Sequence, residues 1–466
     1  MYFQQFFLKC LAHASYMIAS EGVAAVVDPQ RDIGIYLEEA QSRGFRIAHV
    51  IETHLHADFV SGHRELAAMT DATIHVGAEA HAAFPHVRVR EGDELRFGSC
   101  SLRFLETPGH TLESICILVT DLERSLEPFA VLTGDTLFIG DVGRPDLSGD
   151  RTPQELAAML YDSVHGKLLT LPDSVGVYPA HGAGSLCGRQ MRPERSSTIG
   201  VERATNCALR VRSREEFVRL LTAELPDRPG YFARDIEINR LGAPSLADLP
   251  PLAALRPGDL LAKQDEGAIV LDTRPEDDFC AAHVPGSMQI GLSGQFASWA
   301  GSLIGVDHDL ILVAEDPARL AESRLRLSRV GIDRVVGYLA DGIAAWTRED
   351  LPVEEIPQIT VEELAQAARG DEVEVIDVRR VPEWQEGHVA GARHKPLNRL
   401  MSALDDVDPN APIAVYCKAG YRSAIGASLL QRNRFQQVMN VIGGFDAWLA
   451  CDLPYVVPGP QTTAVS

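Results

Sequence analysis

The chain has 466 residues, 45% hydrophobic and 23% charged, and a formal net charge of -22. At roughly 150 residues per domain this is length for about three domains, with apolar content for several cores. Such acidity argues against general binding to nucleic acid, and without a run of about 18 apolar residues no membrane span is expected.

The N-terminus, MYFQQFFLKCLAHASYMIAS, lacks a basic leader region and reads as a strand entering a core, with no signal peptide. Eight cysteines are scattered without a CxxC pair. That usage suggests free thiols in a reducing, cytoplasmic setting, most of them small buried hydrophobes. From residue 1 to about 235, apolar runs (AAVVDP, IAHVIETH, ATIHVG, AVLTGD, VGVYPAH) alternate with polar helical stretches, an α/β pattern. Residues 241–258, LGAPSLADLPPLAALRPG, are rich in Pro and Ala and read as a linker or domain entrance.

Four strand ends in this first part carry metal-type side chains. THLHADFVSGH places His54, His56, Asp58 and His63 after one apolar strand; TPGHT places His110, LTGDTLF Asp135 and VYPAHG His181 after others. One strand-end histidine is more often structural than a ligand. Four repetitions of that context are hard to explain as packing, and α/β domains put their chemistry there.

These motifs resemble the metallo-β-lactamase superfamily over about 235 residues. The resemblance implies an αββα sandwich with the metal at one sheet edge. Hydrolases of the superfamily commonly carry HxHxDH and hold two zinc ions: one on the groups matching His54, His56 and His110, the other on Asp58, a histidine at position 59 and His181, with Asp135 bridging. Here position 59 is Phe, which has no lone pair. A mononuclear site is therefore expected. The superfamily's persulfide dioxygenases use a single ferrous iron on groups matching His54, His110 and Asp135, and two histidines with one carboxylate suit a non-heme iron(II) oxygenase. His56, Asp58 and His181 would then orient ligands and iron-bound water. A three-histidine zinc site from His54, His56 and His110 is the competing reading.

GDTLFIGDVGRPDL (134–147) resembles the loop after the bridging aspartate in those dioxygenases, and Arg144 is a candidate for pairing with an anionic substrate group, or else is tied to Asp141 or Asp146. The segment 180–203 carries Arg189, Arg192, Arg195 and Arg203. These form a basic rim for an anionic thiol carrier such as glutathione or coenzyme A, or are solvated and ion-paired. Cys187 and Cys207 flank it and read as buried, inert thiols.

Beyond the linker lies an internal repeat. IVLDTRPEDDFCAAHVPGS (269–287) parallels VEVIDVRRVPEWQEGHVAGA (373–392), pairing Asp272 with Asp377, Arg274 with Arg379 and His283 with His388; YLADGIAAW (338–346) parallels VIGGFDAW (441–448). Three domains are expected, at 1–240, 255–352 and 356–460. In the second copy, IAVYCKAGYRSAIGASLLQ (413–431) ends a strand at Cys417 and opens a helix near Ser423. Loop N–H groups and the helix N-terminus there favour a thiolate, helped by Lys418 and Arg422. CKAGYRS resembles the active-site loop of rhodanese-type sulfurtransferases. Its four residues between Cys417 and Arg422 make a smaller cradle than in related phosphatases, suiting a sulfane sulfur. Aligning the first copy backward from the shared endings sets Glu315 opposite Cys417, Asp316 opposite Lys418 and Leu320 opposite Arg422. That copy reads as rhodanese-like without transfer chemistry, a spacer or interface, and Asp377, Arg379 and Cys280 read as structural.

The fold expected is α/β, a metallo-β-lactamase sandwich followed by two rhodanese domains. The resemblance implies one Fe(II) per chain and oxidation of a thiol persulfide by O2 to sulfite and thiol. It also implies sulfur transfer between thiosulfate and sulfite at Cys417, and a homo-oligomer. The alternatives are a zinc-dependent thioester hydrolase like glyoxalase II and a persulfide sensor or carrier using Cys417 alone.

Overall fold

The computed structural model describes residues 1–458 apart from Glu224, Pro226 and Asp371; positions 459 and 460 of the third expected domain lie outside the described residues. The chain divides into two compact units, Met1–Pro250 with Leu327–Ile332, and Pro251–Arg326 with the chain from Asp333 onward.

The first unit holds two six-stranded sheets. One runs Tyr2–Leu8, His13–Ser20, Val23–Val27, Arg46–Glu52, Thr73–Gly77, Val87–Val89, antiparallel over its first three strands and parallel after. The other runs Ser197–Thr198, Gly176–Pro179, Ala130–Gly134, Ile115–Asp121, Cys100–Glu106, Glu94–Phe97. Their central strands His13–Ser20, Ile115–Asp121 and Ala130–Gly134 are buried along their whole length because both faces are covered. Side chains alternate across each sheet. Tyr16, Ile18, Ala25 and Val27 join Ile117, Val119 and Leu132 in the layer between the sheets. Their neighbours Met17, Ala19, Ala24 and Val26 pack outward on Tyr36, Ala40 and Leu66 of helices Gly34–Arg43 and His63–Thr70. On the far face, Cys116, Leu118 and Val131 meet Ala157, Leu160, Val164, Phe217 and Leu221 of Pro153–Gly166 and Arg214–Thr222. The result is the expected α-β-β-α layering. Among the described residues no helix is long and apolar enough to cross a membrane.

The second unit carries two five-stranded parallel sheets of the same topology. The first is Ala253–Leu255, Val335–Leu339, Leu310–Val313, Ile269–Asp272, Met288–Gln289; the second is Gln358–Ile359, Gln437–Val441, Pro412–Tyr416, Glu374–Asp377, Arg393–His394. The Pro/Ala-rich stretch is therefore more than a linker: its Ala253–Leu255 is an edge strand. In each copy the motif aspartate is fully buried and bonds the arginine two residues on, whose guanidinium also reaches a carbonyl, Ala282 in one copy and Gly387 in the other. These pairs are scaffold, as their sequence context suggests.

The strand register corrects one assignment. Asp272 pairs with Val313 and Asp377 with Tyr416. Ala314, one residue before Glu315, is therefore the counterpart of Cys417. The close approach of Gly342 to the Ala314 carbonyl and of Gly444 to the Cys417 carbonyl agrees. The first copy has one residue more between this strand and the shared ending, so counting back from the ending slips by one. Alanine carries no nucleophile, and the chemical conclusion is unchanged.

Asp272→Ala leaves Arg274 buried without its carboxylate. It is expected to destabilise the second unit by about 3–5 kcal/mol, read as a lower urea midpoint. Asp272→Ala/Arg274→Met is expected to recover much of that loss.

Candidate metal centre and cysteine loop

Ala130–Gly134 is parallel to Gly176–Pro179 and antiparallel to Ile115–Asp121, which is antiparallel to Cys100–Glu106. The three strands leading to His110, Asp135 and His181 therefore end at one edge. Arg46–Glu52 delivers His54 and His56 from the facing sheet. His54, His110 and Asp135, all buried, bring one ligand atom each within 4.8 Å of one another.

Hydrogen bonds fix which ring nitrogens face inward. The Thr53 hydroxyl donates to Asp28 Oδ2 at 2.8 Å, leaving its oxygen to accept from His54 Nδ1 at 3.0 Å. His110 Nδ1 donates to the Arg144 carbonyl at 2.9 Å. Both Nε2 atoms are thus bare lone pairs. They lie 3.8 and 3.5 Å from Asp135 Oδ2, and among the described residues none of the three atoms has a hydrogen-bond partner. Burial and the neighbouring histidines hold His54 well below its ordinary value, and burial lowers His110. Two neutral imidazoles and a carboxylate with converging, unsatisfied lone pairs are what a divalent cation needs and what burial otherwise penalises. The donor set fits Fe(II).

Close backbone approaches hold this arrangement. A Cβ on Gly143 would lie 2.0 Å from the Asp135 carbonyl and 2.8 Å from His110 Nδ1, and one on Gly134, at φ +51°, 2.7 Å from the Thr53 hydroxyl. Asp28 itself adopts φ +50° and takes the Thr53 N–H at 2.7 Å.

The remaining expected residues fall around this centre. His181 Nδ1 bonds Asp135 Oδ1 at 2.8 Å, and its Nε2 lies 3.1 Å from Asp58 Oδ2. Burial opposes its charge, but the two carboxylates push its value well above the ordinary one. His56 Nε2 points to Asp28 and Glu52, at 3.2 and 3.4 Å. Phe59 is fully buried, its ring 4.1 Å from that of His13 and 4.4 Å from that of His56. His13, fully buried with neither ring nitrogen bonded among the described residues, is brought in by a bridge between its strand and His181. It belongs to no spaced motif, and nothing in the sequence marks it, Asp28 or Glu52.

Arg144 takes the alternative course. Its buried guanidinium makes two bonds to Asp146, at 2.7 and 2.9 Å, and one to the Leu186 carbonyl. It is committed to the loop rather than held out to a substrate, and its carbonyl orients His110. The basic rim dissolves too: Arg189 pairs with Asp141, Arg192 with Glu202 and Arg203 with Asp173, while Arg195 lies over Phe7. Cys207 is exposed, not buried; Cys187 is buried, beside Asp135 and His181.

In the second unit, strand Pro412–Tyr416 ends at the buried Cys417. Gly420, at φ +107°, donates its N–H to Cys417 Sγ at 3.1 Å, and the helix opens at Tyr421, two residues earlier than expected. Lys418 is exposed. Arg422 is bonded twice to Glu383, at 2.7 and 2.6 Å, a partner without a sequence signal. A cleft of about 410 Å³ borders this loop, lined by Gln295 and Trp299 of the first copy and Arg380, Glu383, Tyr421 and Arg422 of the second.

Gly143→Ala is expected to keep the far-ultraviolet circular dichroism of the fold while lowering bound metal per chain, measured by elemental analysis. Thr53→Val releases His54 Nδ1 and is expected to weaken metal affinity by about 10–100-fold, measured by competition with a chelator.

The Metallo-beta-lactamase superfamily model matches residues 8–181, and the Rhodanese-like domain model matches 256–349 and 360–451. Persulfide dioxygenase ETHE1, mitochondrial, is 32% identical in Mus musculus over 178 residues (38% of this chain, 62% of that protein) and 31% identical in Bos taurus over 203 (42% and 70%). The match thus spans less than two thirds of the mouse relative. Hydroxyacylglutathione hydrolase of Methylococcus capsulatus is 31% identical over 248 residues, 50% of this chain and 88% of that protein. A metallo-beta-lactamase structure from Staphylococcus aureus subsp. aureus COL superposes with a TM-score of 0.65 at 29% identity, covering 73% of this chain and 98% of that one. The chain belongs to the metallo-beta-lactamase superfamily: a domain homologous to ETHE1 persulfide dioxygenases, followed by two rhodanese-like domains.

Proposed function

We propose that the first domain is an iron(II)-dependent persulfide dioxygenase and that the last is a sulfurtransferase working through Cys417. One observation carries the first half: the bare lone pairs of His54, His110 and Asp135 converge on one point, while position 59, where the superfamily's hydrolases place a further imidazole, holds a buried phenyl ring. Fe(II) held by these three residues would supply a redox-active centre with open positions for O2 and a sulfur. The net change is R–S–SH + O2 + H2O → R–SH + sulfite + 2H+; the terminal sulfur is oxidised and O2 reduced.

The chain's own residues supply the setting. Thr53 and the Arg144 carbonyl hold the two imidazoles in one tautomer. His181 fixes the Asp135 carboxylate through Oδ1, leaving Oδ2 for the metal. Phe59, fully buried against His13 and His56, gives the site an apolar wall. His56, Asp58 and His181 sit where they can orient a bound water or substrate.

In the last domain the Cys417 thiolate attacks the outer sulfur of a persulfide or thiosulfate. The S–S bond breaks, thiol or sulfite leaves with its electron pair, and the sulfur stays on Cys417. Attack by sulfite or a thiol then removes it. The Gly420 N–H and the helix N-terminus favour negative charge on that sulfur. Arg422, already paired with Glu383, contributes as part of a polar wall. Exposed Lys418 contributes at the rim. Tethering keeps a sulfite-producing domain and a domain that exchanges sulfur between thiosulfate and sulfite on one chain. The substrate is a small thiol persulfide of glutathione or coenzyme A type, and the compartment a reducing cytoplasm.

The retained Asp58 and His181, and the likeness to hydroxyacylglutathione hydrolase, support a second reading, a zinc thioester hydrolase with metal-bound hydroxide attacking a carbonyl. The experiment is anaerobic purification, metal analysis and oxygen uptake with glutathione persulfide. The dioxygenase reading expects about one iron per chain and uptake lost in His110→Ala. It expects Cys417→Ser to keep uptake but lose thiosulfate sulfurtransfer. Paired zinc with thioester cleavage and no oxygen uptake would sink it.

A further inference from the structure

The first rhodanese-like copy has no cysteine at the reacting position, yet it packs on the loop that does. Tyr421, the first residue of helix Tyr421–Arg432, donates its hydroxyl to the Gly291 carbonyl at 2.8 Å. A Cβ on Gly294 would lie 2.5 Å from the Tyr421 ring. Farther along the same helix, Ser428 Oγ accepts the Gln289 N–H at 3.1 Å. The inert copy thus grips the helix whose N-terminus stands beside Cys417. Its Gln295 and Trp299 continue as one wall of the cleft of about 410 Å³. That volume falls in the range of small-molecule sites, about 300–1,000 Å³.

The charges lining the cleft do not cancel. Arg422 and Glu383 answer each other through two bonds, at 2.7 and 2.6 Å. Arg380 is left over. It is exposed, and among the described residues its guanidinium meets only Gln295 Oε1, at 3.5 Å, with no salt bridge to a carboxylate. Partial burial and the charge of Arg422 lower its value, outweighing the pull of Glu383. One surplus positive charge therefore stands in a cleft of a chain whose formal net charge is -22. It is a place for one anionic group. The same wall also senses the thiol. Burial opposes the charge of Arg422, but Glu383 and, after it, Cys417 raise its value.

We propose that this cleft binds an anionic small thiol, with Arg380 holding its carboxylate or phosphate and its sulfur directed to Cys417. Such selection rests on the sulfurtransferase reading of Cys417 and adds to it which thiols are chosen. The bound thiolate attacks the outer sulfur of the Cys417 persulfide. A new S–S bond forms, the bond from Cys417 to that sulfur breaks, and its electron pair stays on Cys417 as thiolate. The outer sulfur keeps its proton, the product is R–S–SH, and no oxidant is consumed. In reverse the cleft takes the persulfide. Gln295 and Trp299 offer the body of the carrier a polar and an aromatic surface, so the copy without chemistry acts in choosing the substrate.

The test uses the full chain with thiosulfate as donor and follows persulfide formation on four acceptors. Glutathione and coenzyme A are anionic, β-mercaptoethanol neutral and cysteamine cationic. The wild type is expected to favour at least one anionic thiol over β-mercaptoethanol. Arg380→Met is expected to raise KM for that thiol about 10-fold, with kcat kept, so that the preference disappears. Arg380→Glu is expected to turn the preference toward cysteamine, a gain that damage to the fold cannot produce. Which of glutathione and coenzyme A loses more tells whether a carboxylate or a phosphate is held. A preference that survives in Arg380→Met, or four acceptors falling in the same proportion in both variants, would overturn the site. Binding is read separately on Cys417→Ser by calorimetric titration with S-methylglutathione and with desulfo-coenzyme A. Absence of sulfur transfer to any acceptor, cyanide included, sinks the sulfurtransferase reading. The titration then decides the cleft alone: binding weakened about 10-fold by adding Arg380→Met upholds it, and no binding, or binding indifferent to Arg380, overturns it.

Discussion

Asp135 Oδ2 stands 3.5 and 3.8 Å from two histidine nitrogens whose protons have been assigned elsewhere. Three buried acceptors meet with no donor among them. Left alone, this costs several kcal/mol. A divalent cation turns the same geometry into an attraction. Much of the first unit serves to hold that frustrated arrangement: the left-handed backbone of Asp28, its two bonds to Thr53, the Thr53–His54 contact, the Arg144 carbonyl, and glycines where backbone must approach closely. The orienting groups come from both sheets, so the centre exists only when the sandwich is closed.

Both units use one device for different chemistry. Strands end at a common edge, and the chemically active residues follow those ends. In the first unit those residues are lone-pair donors converging on a candidate metal position. In the second, a thiol accepts the Gly420 N–H beside a helix N-terminus, a setting that favours negative charge. The first rhodanese-like copy shows what is scaffold and what is chemistry. It keeps the buried Asp272–Arg274 pair, whose loss would strand a charge, and has Ala314 where Cys417 stands. Its Gln295 and Trp299 line part of the cleft beside the Cys417 loop.

Much of the site was legible in the residues themselves. His54, His110, Asp135 and His181 could be recognised because each follows an apolar run, and strand ends are where backbone turns and side chains are free to converge. The repeat revealed two copies of one fold, and CKAGYRS marked the loop. Other features carried no local signal. His13 sits at the start of a strand with no spaced partner; Asp28 and Glu383 act through residues distant in sequence. Arg144 looked like a ligand for an anion because a loop arginine carries its charge wherever it points. The position of Ala314 depends on a one-residue difference that only strand pairing registers.

By itself the sequence determined the layers and the donors. Alternation of apolar side chains selects which faces are buried, and residue type decides which groups can offer lone pairs, thiolates or positive charge. Tertiary structure decided which donors meet. That His110 presents Nε2, that Arg144 turns to Asp146, and that Cys187 returns beside His181 follow from hydrogen bonds and loop paths closed by packing. Such choices between two nitrogens, or between two partners for one guanidinium, are settled by neighbours far along the chain, and no local stretch of residues contains them.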